Sequence, residues 1–258
     1  MTDSLVQLES EILSRPWFYH FQLPSGRVTE CYLPAGVEQI HTTRERMLLE
    51  TLTAHLGSDW QALRCLDLAC HEGYFSFSVA RQGCAEVVGI DARPEHIESA
   101  NLLRRAFNLS NVRFQVGDIQ RLDAADLGQF DVTLLFGILY HLENPIGVLR
   151  LCHALTKRVC LIETQIAPHL AGPTDWGSHL FTQQILGCFA IVDETDNLAR
   201  DDKEANITPI SLFPSLPALL WLLTKVGFKR AQVIEPPPDA YEQFRSGKRV
   251  IVAAYNTL

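Results

Sequence analysis

The stretch from Cys65 to Asp91 constrains the fold of this chain more than any other. It runs Cys65-Leu-Asp-Leu-Ala-Cys-His-Glu-Gly-Tyr-Phe-Ser-Phe-Ser-Val-Ala80 and, a few residues on, Val87-Val-Gly-Ile-Asp91. This order reads as an apolar strand, a tight turn, a helix and a second apolar strand with a carboxylate at its end. Such a βαβ unit cradles a ligand at the first turn and offers the second strand's acid to a ribose. The glycine pattern of a dinucleotide site is missing. Ala69 and His71 stand where its first two glycines would be, and only Gly73 remains. Asp67 inside the turn would repel a pyrophosphate, which favours a cationic ligand.

Strands are expected at Cys65–Ala69, Val87–Asp91, Val112–Val116, Asp131–Phe136 and Val159–Thr164. Helices should separate them at Tyr74–Gln82, Pro94–Asn108 and Pro145–Leu155. The last has Asn144 as N-cap and Pro145 at its first position. Alternation of this kind implies parallel strands joined by right-handed crossovers, with helices on both faces and ligands at the strands' carboxyl ends. Upstream, residues 4–14 have helical spacing, Trp17–Tyr32 reads as a hairpin-like arm, and a helix should cover Val37–Leu56 before Gly57. Residues 167–214 have no clean period and are too long for an ordinary connection, so they read as a cap, with a short helical piece at Phe181–Phe189. A helix at Ser215–Val226 and strands at Lys229–Glu235 and Arg249–Tyr255 complete the chain.

The composition suits one large domain with appended segments. Of 258 residues, 47% are hydrophobic and 20% charged, enough for a full core. The net charge of −8 disfavours a broad electrostatic footprint on nucleic acid. No apolar run reaches the length of a membrane span, and the first residues lack the order of a signal peptide. Seven cysteines without CxxC spacing read as free thiols of a reducing cytoplasm, without a structural zinc site.

Four positions in register carry a resemblance. Asp67…Gly73 and Asp91 are followed by Val116-Gly-Asp118-Ile119, and then by Phe130-Asp-Val-Thr-Leu-Leu-Phe-Gly-Ile-Leu-Tyr-His141. Together they resemble the class I S-adenosylmethionine-dependent methyltransferases. The resemblance implies a Rossmann-like α/β fold, a mostly parallel seven-stranded sheet whose final strand is antiparallel. It implies cofactor contacts at Asp67, Ala69, Gly73, Phe75, Asp91, Ala92, Asp118, Ile119, Phe136 and Gly137. His71 is expected to point to solvent. More narrowly, Gly137-Ile-Leu-Tyr-His-Leu-Glu-Asn-Pro145, Trp17-Phe-Tyr-His20 and Phe213-Pro-Ser are similar to segments of the enzymes that carboxymethylate hydroxylated wobble uridine in tRNA. Those enzymes also carry a basic Trp-Arg-Lys-Gly-Pro stretch and arginines after the Tyr-His pair. Here Leu142, Glu143 and Asn144 follow the pair instead, so neither their substrate nor their carboxylated cofactor carries over.

A sulfonium methyl group is already activated. The protein must align the acceptor, exclude water, and take a proton from a hydroxyl or amine. His141, just past the fourth strand, is the expected base, because an imidazole of ordinary pKa about 6.5 accepts a proton at neutral pH. The alternative is a histidine bonded to backbone at a helix start. Tyr19, His20, Tyr140, Trp176, His179 and Asn206 are candidates for the acceptor pocket. No metal is expected. The domain reading is an N-terminal arm with helices over 1–57 and a methyltransferase domain over 58–258, with 167–214 inserted as a substrate cap. The acceptor is expected to be a small molecule, with a tRNA-modifying or RNA-binding role as the alternative.

Overall fold

A computed structural model describes residues 3–175, 182–200 and 207–257. The elements run in order as α1 (Asp3–Leu13), α2 (Gln39–Leu56), β1 (Arg64–Leu68), α3 (Tyr74–Ala80), β2 (Glu86–Asp91), α4 (Pro94–Phe107) and β3 (Val112–Val116). They continue with α5 (Ala124–Leu127), β4 (Phe130–Phe136), a 3₁₀ turn (Leu139–His141), α6 (Pro145–Leu155), β5 (Thr156–Gln165), β6 (Gly172–Asp175) and β7 (Thr182–Ile185). The last are β8 (Phe189–Asp193), α7 (Thr195–Ala199), β9 (Ile210–Pro214), α8 (Leu216–Val226), β10 (Arg230–Val233), α9 (Glu242–Arg245) and β11 (Arg249–Tyr255).

Seven strands form one sheet in the order β10-β11-β5-β4-β1-β2-β3. Strands β1 to β5 are parallel, and β11 lies antiparallel between β5 and β10. The order reverses between β1 and β4. That is the topological switch point at which ligands of open α/β sheets bind. Strands β1, β2 and β4 are buried on both faces, as a parallel sheet covered by helices requires. Fully buried Leu66, Val88, Leu134 and Leu135 anchor this centre, and each such side chain contributes roughly 1.5–3 kcal/mol.

Local chemistry explains the helix starts. The Asn144 side chain accepts from the Gly147 N–H at 3.0 Å, and Pro145 supplies a preset first turn for α6. Gly73 opens α3 with φ +83°, and a Cβ there would sit 2.6 Å from Phe114 Cζ, so only glycine fits. Residues Trp17–Tyr32 form the expected arm. Leu23 N–H donates to Arg27 O at 2.8 Å and Thr29 N–H to Phe21 O at 3.0 Å. Its Trp17, Tyr19 and Phe21 share a hydrophobic cluster with Phe77 of α3 and Leu103 of α4, so the arm is built into the core.

The cap region departs from expectation. The piece around Phe181–Phe189 is not helical where it is described: Thr182–Ile185 pairs antiparallel with Gly172–Asp175, and Phe189–Asp193 pairs with Ile210–Pro214. Between the two ribbons, Gly187 lies against the start of α8. A Cβ on it would meet the Ser215 Oγ at 2.6 Å and the Ala218 N at 2.7 Å, so bare backbone presses on the start of α8. No helix among the described residues is long and apolar enough to cross a membrane.

Candidate active site

A cavity of about 330 Å³ opens where β1, β2, β3 and β4 end. Ala69 and His71 from the β1 turn, Asp91 and Ala92 after β2, Asp118 and Ile119 after β3, and Phe136 and Gly137 at the end of β4 line it. Tyr140 and His141 follow from the 3₁₀ turn, Phe18 and Tyr19 come from the arm, Arg44 from α2 and Ile207 from the cap.

Asp91 is fixed by the turn beside it. The His71 N–H donates to its Oδ2 at 2.9 Å and the Arg93 N–H to its Oδ1 at 2.9 Å, while His96 Nδ1 lies 3.1 Å from Oδ1. Burial opposes its ionisation, but the His96 hydrogen bond and charge and the Arg93 N–H outweigh burial and hold the carboxyl below its ordinary range. A carboxylate has about four acceptor sites, so with these three contacts Asp91 keeps capacity, on Oδ2, for one ribose hydroxyl. Asp118 takes the Gln120 N–H at 2.9 Å and an ion pair from Arg121 at 3.3 Å.

His71 faces inward. Its backbone adopts φ +51°, as Ala69 does at +59°, and this left-handed turn lays the ring against His96 at 3.7 Å and Phe18 at 5.0 Å between centroids. The expectation that it points to solvent is thereby corrected. The arm is pinned over the same turn, because the Phe18 N–H donates to Glu72 Oε2 at 3.1 Å.

Three expected cofactor positions lie outside the cavity lining. Asp67 is buried beneath the turn, accepts from Ser76 Oγ at 2.6 Å, and is pushed up to about 7 by burial, which that hydrogen bond only partly offsets. It ties α3 to β1. Gly73 packs under Phe114, and Phe75 stands edge-to-face on Phe136 at 4.9 Å. His20 also misses the cavity. Its Nδ1 lies 2.9 Å from Thr29 O, and its ring borders a separate hollow of about 210 Å³ beside His41 and Tyr74. Tyr19 lines the main cavity and stacks on Tyr74 at 4.7 Å. Trp176, His179 and Asn206 lie outside the described residues.

The structure adds groups that sequence reasoning did not assign to the site. Arg44 is buried, lines the cavity, and among the described residues has no hydrogen-bond partner for its Nε. Its Nη2 lies 3.3 Å from Glu163 Oε2, and Arg249 Nη1 lies 2.7 Å from Glu163 Oε1. Two guanidiniums thus share one buried carboxylate under Gly137, whose φ of +73° favours glycine. His141 Nδ1 lies 2.7 Å from Glu194 Oε1, which also accepts from Ser211 Oγ at 2.7 Å. These partners are distant in the chain, and only the acidic content of the cap hinted at them. Among the described residues no group of three His, Cys, Asp or Glu side chains is placed to hold a metal.

The sheet order, with its antiparallel strand next to the edge and a cavity at the switch point, is that of a class I methyltransferase. The methyltransferase-domain family profile matches residues 60–193, and the chain belongs to that family. Its cofactor is S-adenosylmethionine. Over 100 residues the chain is 30% identical to the ubiquinone biosynthesis O-methyltransferase of Neisseria meningitidis serogroup C (strain 053442), covering 39% of this chain and 42% of that protein. It is 25% identical over 186 residues to the tRNA U34 carboxymethyltransferase of Saccharophagus degradans (strain 2-40 / ATCC 43961 / DSM 17024), covering 71% of this chain and 50% of that one. The chain therefore spans half or less of the length of these relatives. In fold it is similar to the N-terminal domain of EvdMO1 crystallised with SAH and D-fucose, with TM-score 0.69, 20% identity, and coverage of 99% of this chain and 97% of that one.

The donor set fits the cofactor. Asp91 suits a ribose hydroxyl, the left-handed turn at Ala69 and His71 lets backbone come close, and the Nε of the buried Arg44, unpaired among the described residues, suits a carboxylate.

Proposed function

We propose that this protein transfers a methyl group from S-adenosylmethionine to a hydroxyl group of a small-molecule acceptor, with His141 as the base. S-adenosylmethionine supplies the activated methyl group. Asp91 would hold its ribose, Asp118 and Ile119 its adenine end, and Arg44 its carboxylate. The arm residues Phe18 and Tyr19 and the described part of a 167–214 substrate cap, through Ile207, would exclude water from the reacting centre.

The observation that carries the reading is the placement of His141. Its imidazole lines the cavity directly after the strand end at Phe136 and Gly137, beside Tyr140, and is not spent on a backbone carbonyl at a helix start. A hydroxyl acceptor needs such a group, because its proton must leave as the new bond forms. The 30% identity to an O-methyltransferase supports oxygen as the methylated atom. His141→Ala tests the reading. Methyl transfer should fall by roughly 10²–10⁴-fold, the contribution of a positioned general base, while cofactor affinity stays the same. Full turnover in the variant would refute the assignment.

A second reading, modification of a wobble uridine in tRNA, has the longer match to the Saccharophagus protein in its favour. The net charge of −8 counts against it. Retention of bulk tRNA that weakens steeply with salt would support it. The free thiols of all seven cysteines agree with a reducing, cytoplasmic setting.

A further inference from the structure

His141 stands on the 3₁₀ turn after β4, and its partner comes from the cap, 53 residues further along the chain. Glu194 directly follows β8, and Ser211 lies on β9 opposite Val192. The ribbon thus brings both side chains to one point. Glu194 N–H donates to Pro209 O at 2.9 Å, which fixes the carboxylate's own backbone. Phe213 of the same ribbon packs edge-on against Tyr140 at 5.3 Å. Glu194 is 4% exposed and Ser211 0%, so this is no surface ion pair of negligible worth.

We infer that Glu194 is a positioning residue that sets the tautomer and direction of the His141 ring, and that Ser211 holds Glu194 in place. The inference rests on reading His141 as the base and goes one residue deeper. An ionised carboxylate only accepts hydrogen bonds, so its 2.7 Å contact places the ring proton on Nδ1 and leaves the lone pair on Nε2. Ser211 donates to the same Oε1 and keeps that oxygen an acceptor. During transfer the acceptor O–H proton passes to Nε2 while the oxygen's electron pair forms the C–O bond. The C–S bond breaks, and its pair stays on sulfur. The doubly protonated ring then faces the Glu194 carboxylate, and afterwards gives the Nε2 proton to water. Among the described residues, the other charged or titratable side chains lining the cavity are Tyr140 beside the ring, Tyr19, Arg44, His71, Asp91, Arg93, His96 and Asp118. Of all these, Glu194 is the group in contact with Nδ1.

The contact could instead be a mere strut between ribbon and core, and the two roles separate experimentally. Full-length protein labelled with ¹⁵N-histidine should show His141 in the Nδ1–H form, with a strongly downfield Nδ1 proton, in long-range ¹H–¹⁵N spectra. Glu194→Gln should weaken that signature, because a neutral amide oxygen accepts from Nδ1–H less strongly than a carboxylate. Methyl transfer from labelled S-adenosylmethionine into small molecules of a cell extract should then slow by up to roughly 10²–10⁴-fold, the whole contribution of the base. The KM for S-adenosylmethionine and the affinity for S-adenosylhomocysteine should not change. Ser211→Ala should act in the same direction by a smaller factor, and it carries the test if Glu194→Gln does not fold. An Nε2–H ring in the wild type, or wild-type spectra and rate in Glu194→Gln and Ser211→Ala, would overturn the inference. Collapse in His141→Ala alone would leave the base reading standing and remove only Glu194. Full turnover in His141→Ala would remove the base reading itself.

Discussion

Glu163 is the side chain whose loss should be felt most. It is wholly buried on β5 under the cavity, with Arg249 Nη1 at 2.7 Å and Arg44 Nη2 at 3.3 Å. Burial by itself would raise its pKa; the Arg249 charge, then that of Arg44, outweigh burial and hold it below the ordinary carboxylate range. Glu163→Gln leaves two buried guanidiniums facing each other with no counter-charge. Removing one partner of a buried pair costs about 3–5 kcal/mol. At about 2–4 °C per kcal/mol for a chain of this size, the midpoint of thermal unfolding should fall by about 6–20 °C. The pH dependence has a definite sign. A depressed folded pKa means the carboxylate stabilises above the unfolded value of about 4.3, and that stability is lost as pH falls through the lower folded value. The gap between wild type and variant should therefore be constant from neutral pH to about 5 and close in stronger acid. Adding Arg249→Met should recover part of the loss, because one buried charge is then removed. Scanning calorimetry with urea titrations measures all of this. A midpoint within about 2 °C of wild type, less than 1 kcal/mol on that scale, would refute the reasoning.

Calorimetry with S-adenosylhomocysteine should show Asp91→Ala binding at least about tenfold more weakly, through lost charge-assisted hydrogen bonds of about 1.5–3 kcal/mol. Asp67→Asn, beneath the turn and outside the cavity lining, should stay within a few-fold, and a larger loss there than at Asp91 would contradict the geometry. Burial, then the charge of Arg44, pushes the His41 imidazole down to about 2, so it stays neutral in the fold while the unfolded chain takes up its proton below about 6.5. Stability should therefore be lost as pH falls below about 6.5, by up to about 1.4 kcal/mol per pH unit, and His41→Phe should flatten that slope in urea titrations.

Local signals were read correctly where local chemistry decides. Asn144 with Pro145 starts α6, and Val112–Val116 and Arg249–Tyr255 are strands over the expected residues. The parallel strands β1 to β5 followed from strand–helix alternation, while their order in the sheet did not. What could not be read depended on backbone sign or on distant partners. A positive φ at His71 turns its ring inward, and no propensity announces that. Asp67 looks like a ligand contact in the sequence, yet Ser76, nine residues on in α3, claims one of its oxygens. The Thr182–Ile185 strand is paired with Gly172–Asp175, a partner that the local sequence does not announce. The Glu194–His141 contact joins residues whose separation carries no periodic signal.

The account stands or falls on where the methyl group goes. Purified protein should be incubated with methyl-labelled S-adenosylmethionine and a cell extract fractionated by size, with His141→Ala in parallel. The account predicts label in small, base-stable methyl ethers, dependent on His141. Label confined to RNA, or no transfer although S-adenosylhomocysteine binds, would contradict it.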